Sequence, residues 1–317
     1  MTTPQATSRQ LPRSARLLVT FVNLRRRREE GGSIVFLIPI IFVFIALYAY
    51  PMGQSLYYSF TNFNGYSNSY KNVGFRNYHL IFTDSKMLAA LSFTIMFAVG
   101  TTVIVTALAI PLATILNRRF IGKNFVRSVF FFPAIPSVAI LGLVWGFILS
   151  PLGDGVLNTI IHSLTGLGPV PWLANSTLAQ ISTVAVSVWT LTGYHAMLYL
   201  AYLQSIPSDY LEAARIDGAS GVQNFRYITL PLLTPAMTVS WLLLMAYGLT
   251  VYALPITLTK GGPGYATTTI TQTIIQDGIA SAQVGQASAL AVLFLIVAGV
   301  VVLLQRKLSR ILERKYS

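Results

Sequence analysis

Six long apolar stretches leave this chain few folds to choose from. Ser33–Tyr58, Met87–Leu116, Val129–Leu149, Leu178–Leu203, Leu232–Thr257 and Val284–Leu304 each run for 21 residues or more. At about 1.5 Å per helical residue, every one of them can cross a hydrocarbon layer roughly 30 Å thick. Inside that layer backbone amides have no water to bond, so only helices or a closed barrel survive, and runs of this length predict helices. The expected fold is an all-α integral membrane protein with six transmembrane helices. Composition agrees, at 54% hydrophobic and 10% charged residues with a mean hydropathy of +0.64.

Charge placement sets the expected topology. Of 22 lysines and arginines, 18 lie before the first stretch, between the second and third, between the fourth and fifth, or after the sixth. Only Lys71, Arg76, Lys86 and Lys260 fall on the other side. Basic loops stay in the cytoplasm, so both termini and the 204–231 segment are expected there, in a multi-pass plasma (inner) membrane protein. The net charge of +13 then follows from topology, and no nucleic-acid partner is required. Residues 1–32 read as a basic N-terminal tail, 33–304 as the transmembrane domain and 305–317 as a basic C-terminal tail. The first stretch continues through "YAYPMGQSLYY" without a small-residue cleavage pattern, which predicts a retained span and not a removed signal.

Several chemistries are missing. There is no cysteine, and the three histidines are scattered, so no metal cluster is expected. Every Asp and Glu falls outside the six stretches, which disfavours an ion-coupled secondary transporter, since such proteins place carboxylates within the membrane. His195 is the one imidazole inside a stretch and reads as a helix-packing hydrogen bonder. "IGKNF" and "KGGPGYATT" lack the spacing of a phosphate loop. Without a catalytic triad or paired carboxylates either, the chain is not expected to be an enzyme. No cofactor is expected in it, and if the protein does work the energy must come from elsewhere.

Between the fourth and fifth stretches lies "SIPSDYLEAARIDGASGVQNFRYITLP". Asp209 and Glu212 are spaced as a capping box, predicting a helix over Tyr210–Asp217 that Gly218 ends in a left-handed conformation. Ser220 and Gln223 repeat the box and open a second short helix toward Pro231. Ala213 and Ala214 give the first helix a low-relief face, suited either to local structure or to close approach by another backbone. Elsewhere, "PLGDGVLNTIIHSLTGLGPVPWLANS" holds a short amphipathic stretch, and Gly142 and Gly146 form GxxxG.

Two of the spans carry polar stripes. Thr183, Ser187, Thr190 and Tyr194 share one helical face of the fourth, and Ser240, Leu244 and Tyr247 share one of the fifth. Hydroxyls beside an aromatic ring suit a sugar, and the same groups also serve to join helices.

Glu212, Ala213, Ala214, Gly218, Ile228, Leu230 and Pro231 meet the pattern E-A-A, three residues, Gly, nine residues, I-x-L-P. This resembles the EAA loop of binding-protein-dependent ABC importer permeases. "YPMGQSLYYSFTNFNGY", "NVGFRNYHLIF", "RSVFFFPAIPSVAILGLVWGFILSP" and "LTKGGPGYATTTI" resemble the MalF-like carbohydrate branch in its shorter, six-helix form. The resemblance implies the type I importer (MetI-like) permease fold. It also implies that residues 205–231 couple to an ATP-binding subunit through Glu212, Ala213, Ala214, Asp217, Gly218, Leu230 and Pro231. The partners it implies are a MalG-like second permease subunit, two copies of the ATP-binding subunit, an extracytoplasmic solute-binding protein and a sugar-like solute. The relative's solute positions align near Ser187, Thr190, Leu191, Tyr194, Ser240, Leu243 and Leu244, with Tyr247 beside them. A non-sugar solute such as glycerol phosphate is the alternative, ahead of a secondary transporter.

Overall fold

The computed structural model describes residues 37–67, 69–152 and 155–316. Those residues form helices and no strand beyond one isolated bridge between Thr61 and Asn72. The tail expected over 1–32 lies outside the described residues. The chain divides into two compact units between Tyr57 and Tyr58.

The first unit contributes helix α1 (Leu37–Tyr58), which widens into a π-turn over Ile45–Ala49. There the Tyr50 amide donates to the carbonyl of Ile45. Pro51 follows directly. It has no N–H for the Leu47 carbonyl and its ring crowds that oxygen, and the wider turn relieves the crowding.

In the second unit, α2 (Arg76–Thr83) leads into α3 (Ser85–Asn117). Then come α4 (Lys123–Phe131), α5 (Val138–Ile148), α6 (Val156–Thr165) and α7 (Ser176–Leu203). The chain continues through α8 (Ser208–Ile216), α9 (Gly221–Leu232), α10 (Thr234–Leu249) and α11 (Ala253–Leu258). It ends with α12 (Ile270–Ile275) and α13 (Val284–Tyr316). Side-chain caps fix where several of these begin. Asp84 accepts from the amides of Lys86 and Met87, Asn175 from those of Thr177 and Leu178, and Thr269 from that of Gln272.

The stretches expected at Met87–Leu116, Leu178–Leu203 and Val284–Leu304 are α3, α7 and α13, each long and apolar enough to cross a membrane unbroken. The other two in this unit depart from the straight spans expected of them. Val129–Leu149 is split between α4 and α5, which meet at 92° across the 3₁₀ turn Phe132–Ala134. Ile135 keeps right-handed helical angles (φ −81°, ψ −47°), but Pro136 has no N–H with which to continue the helix, and Pro133 lies within the turn before it. Leu232–Thr257 is α10 followed by a break at Thr250–Tyr252 and then α11. At its start, α9 and α10 meet at 65°.

The core forms where α3 lies between α7 and α10. Val105, Ala109 and Ala113 of α3 pack with Val188, Ala196, Tyr199 and Leu200 of α7 and with Ala236 and Leu244 of α10. Small residues let the backbones approach, which matters because lipid offers no hydrophobic drive for helices to associate. Gly248 of α10 sits so close to α3 that a Cβ there would lie 2.5 Å from Ala98 Cα. Buried threonines satisfy themselves: Thr94, Thr102 and Thr183 donate to the carbonyl four residues earlier.

At the end of the bundle where α3 begins, the 259–285 segment is tied down on several sides. Lys86 pairs with Asp277, the Ile270 amide donates to Thr94 Oγ1, and Gln180 Nε2 donates to the Ala266 carbonyl. The Gly285 amide donates to the Phe63 carbonyl at 2.8 Å. Helix α6 is the amphipathic stretch expected between the third and fourth spans, ended by Gly166 at φ +71°. Asn158 organises the return to α7, donating to Ser150 and Val170 carbonyls and accepting from Trp172 Nε1.

Candidate functional site

The segment between α7 and α10 is built as two short helices about a glycine. Ser208 is already helical, so Asp209 sits in the first turn of α8 and not ahead of it, where its carboxylate suits the positive end of the helix. Gly218 has φ +77°, and the Ala219 amide donates to the Ala214 carbonyl at 2.9 Å, as in a Schellman ending. Nothing lies within 4 Å of a Cβ added at Gly218, so the left-handed backbone alone calls for glycine there. The second box is complete: Gln223 N–H donates to Ser220 Oγ, and the Ser220 amide donates to Gln223 Oε1.

Leu230 and Pro231 have a structural reason to stand where they do. Phe225–Thr229 is a π-turn in which the Leu230 amide donates to the Phe225 carbonyl. Pro231 cannot bond the carbonyl four residues back, which repeats the arrangement at Pro51. Phe225, Leu230 and Ile206 pack on the core of α3, α7 and α10, anchoring both ends of the segment to the spans.

Glu212, Ala213 and Asp217 are exposed, while Ala214 is buried. Around them stand four large exposed residues that sequence reasoning did not single out. Ile216 is 87% exposed and Val222 76%, with Tyr210 and Tyr227 also largely open. These apolar side chains are exposed on a segment that also carries the exposed carboxylates of Glu212 and Asp217, a composition suited to contact with another protein. Their signal was present in the sequence as apolar residues within a charged segment.

The polar stripes divide by environment. Ser187, Thr190, Ser240 and Leu244 are buried inside the chain, and Thr190 Oγ1 donates to the Val186 carbonyl. Tyr247 is half-buried, its ring 6.5 Å from that of Phe97. Tyr194 is 44% exposed, and its ring meets the His195 ring edge-on at 5.2 Å. The structure brings Ser240 to His195, whose Nδ1 lies 2.8 Å from Ser240 Oγ and joins α10 to α7. The outward edge of the same two helices carries Tyr194 and Ala201 on α7 with Pro235, Val239 and Leu243 on α10. Leu198, Ala201, Pro235 and Val239 line one shallow groove between them.

The profile of the family described as "Binding-protein-dependent transport system inner membrane component" matches residues 106–315. The chain is 34% identical over 297 residues to the multiple sugar-binding transport system permease protein MsmF of Streptococcus mutans, covering 92% of this chain and 100% of the relative. It is 33% identical over 267 residues to the probable starch degradation products transport system permease protein AmyD of Thermoanaerobacterium thermosulfurigenes, covering 83% and 89%. One chain from the crystal structure of a bacterial alginate ABC transporter, in complex with alginate pentasaccharide-bound periplasmic protein, superposes with a TM-score of 0.78. That match has 23% identity over 91% of this chain and 97% of the other, and shows a shared fold. An all-helical architecture, an exposed two-helix segment at the E-A-A pattern and these matches lead to one conclusion: the chain belongs to the binding-protein-dependent transport system inner membrane component family, as a permease and not an enzyme.

Proposed function

We propose that this chain is one permease subunit of an ATP-driven importer for a sugar or sugar-like solute. The observation that carries the reading is the exposed surface of α8 and the start of α9, where Tyr210, Glu212, Ala213 and Ile216 of the first and Val222 of the second are all open. Its chemistry suits insertion into a cleft of a separate ATP-binding subunit, two copies of which hold the ATP and Mg. That surface has firm mechanical backing, because Phe225 and Leu230 seat it on the spans. Closure of the ATPase pair would then swing α9 against α10 at their 65° junction. A MalG-like subunit supplies the other half of the pathway, and a solute-binding protein delivers cargo on the far side. Both termini and α8 lie in the cytoplasm, in keeping with the 18 basic residues on that side.

The proposed solute-facing wall is the outward edge of α7 and α10, with Tyr194 offering its ring to a sugar face. Ser187, Thr190, Ser240, Leu244 and Tyr247 stand behind it as its support. The sugar class follows from the likeness to the multiple sugar-binding and starch degradation products permeases.

The test is Glu212→Ala in the assembled importer, measuring solute uptake and ATPase activity together. Uptake should fall at least about tenfold while the ATPase loses its dependence on the binding protein, equivalent to roughly 1.4 kcal/mol of coupling. Wild-type uptake would sink the assignment of α8.

A further inference from the structure

We propose that a polar pocket lined by Arg76, at the end of the bundle away from α8, receives an acidic side chain of the solute-binding protein. This rests on the importer reading above and adds to it the residues that dock the delivery protein and the chemistry they use. Basic residues are scarce on this side, where only Lys71, Arg76, Lys86 and Lys260 stand. Lys86 is accounted for by its pair with Asp277. Asp84, the other described carboxylate on this side, is taken up in capping α3. Arg76 is exposed, and its guanidinium has no hydrogen bond or ion pair among the described residues.

The pocket has a fixed frame. A hollow of about 210 Å³ lies between the 61–80 segment and the turn that enters α13. On the first side, Asn77 is buried and donates from Nδ2 to the carbonyls of Ser59 and Thr61. The Lys71 amide donates to Asn62 Oδ1 and Thr61 bridges to Asn72, so the loop is closed on itself. The second side is fastened to the first. Gly285 N–H donates to the Phe63 carbonyl at 2.8 Å, and a Cβ at Gly285 would lie 2.1 Å from the Thr61 carbonyl oxygen. Gln283, also on that side, is exposed, and its side chain has no partner among the described residues. Phe63 lines the pocket as well, with its ring 4.3 Å from that of Tyr58 and 5.2 Å from that of Tyr70.

Size and charge together select the occupant. Sites for free small molecules run from about 300 Å³ upward, so this one admits a protruding side chain and not an oligosaccharide. A guanidinium presents five donors in a planar fork that a carboxylate matches with two parallel bonds, and the side-chain amides of Asn62 and Gln283 carry further donors for its remaining lone pairs. No Asp or Glu lines the pocket, so the complementary charge comes from another protein. An arginine beside packed aromatic rings is also the composition in which protein contacts concentrate their binding energy.

The test measures the affinity of the permease complex, purified with its partner subunits, for the solute-loaded solute-binding protein in the absence of ATP. Arg76→Glu should weaken binding about tenfold or more at low salt, and the difference should shrink at about 1 M salt, where screening acts within about 3 Å. Lys71→Glu changes charge equally on the same loop but outside the pocket, and should stay within about threefold of the wild type. Exchanging the surface Asp and Glu residues of the binding protein for Arg, one at a time, should restore binding to Arg76→Glu at one position. Unchanged affinity in Arg76→Glu, an equal loss in Lys71→Glu, or no restoring position would overturn the pocket assignment and leave the importer reading standing. Absence of binding by the wild type would overturn both. Binding of free solute to the complex that Arg76→Gln abolishes would also overturn the proposal, by giving the pocket to the solute.

Discussion

Replacing Gly193 with alanine should unsettle the junction between α7 and the bent α4–α5 pair. A Cβ at Gly193 would lie 1.7 Å from the Phe130 carbonyl oxygen, 2.5 Å from its carbon and 3.1 Å from the Phe131 nitrogen. All three are backbone atoms, so no rotamer change relieves the overlap. Ordinary contact needs about 3.4 Å, so the two backbones must part by roughly 1.7 Å. The arm is not free to move, because Arg127 Nη2 on α4 donates to the Leu116 carbonyl at the end of α3. Overpacking of this kind costs about 1–3 kcal/mol, and the rigid backbone neighbours place Gly193→Ala at the upper end. For a chain of this size, about 3 kcal/mol corresponds to a fall of roughly 6–10 °C in the melting midpoint. The assay is the apparent melting temperature of the detergent-purified complex, with Gly100→Ala and Gly146→Ala as controls. Nothing lies within 4 Å of a Cβ at Gly100, and the nearest atom to one at Gly146 is 4.0 Å away. Equal midpoints for Gly193→Ala and the two controls would refute the reasoning.

Three further outcomes follow. Gly218→Ala should strain the turn by about 1–2 kcal/mol and weaken binding of the ATP-binding subunit, measured by co-purification; Gly218→Asn, which tolerates φ above zero better, should recover part of it. His195→Ala and Ser240→Ala should each lower stability by about 1 kcal/mol and their combination by no more than either alone, in thermal melts, whereas additive losses would mean the 2.8 Å contact is not shared. Lys86→Gln leaves Asp277 charged with its partner gone and should cost more, by about 1 kcal/mol, than Lys86→Gln with Asp277→Asn, as read from urea or thermal midpoints.

The straight spans were legible in the sequence because hydropathy and length are all that α3, α7 and α13 need. The bends were not, since a hydropathy window carries no direction, yet Pro133, Pro136, Pro231 and Pro235 were present to suggest them. Ser220–Gln223 was readable because a capping box is purely local; Asp209–Glu212 misplaced the start of α8 by two residues for the same short spacing. Periodicity put Ser187, Thr190 and Tyr194 on one face of α7, but it says nothing of what that face meets. Neighbouring helices cover the first two and leave Tyr194 open. Likewise GxxxG does not reveal that Gly142 is the tight member. A Cβ there would come 1.9 Å from Thr257 Oγ1, whereas Gly146 has room.

The π-turn at Phe225–Thr229 winds one additional residue into the helix that joins α8 to α10. One residue is about 100° of rotation about a helix axis. The azimuth at which Glu212 is presented is thus offset by more than a quarter of a turn from that of an unbroken helix. Pro231, which makes the offset necessary, acts as the keyway that sets the phase between α8 and the span that follows it.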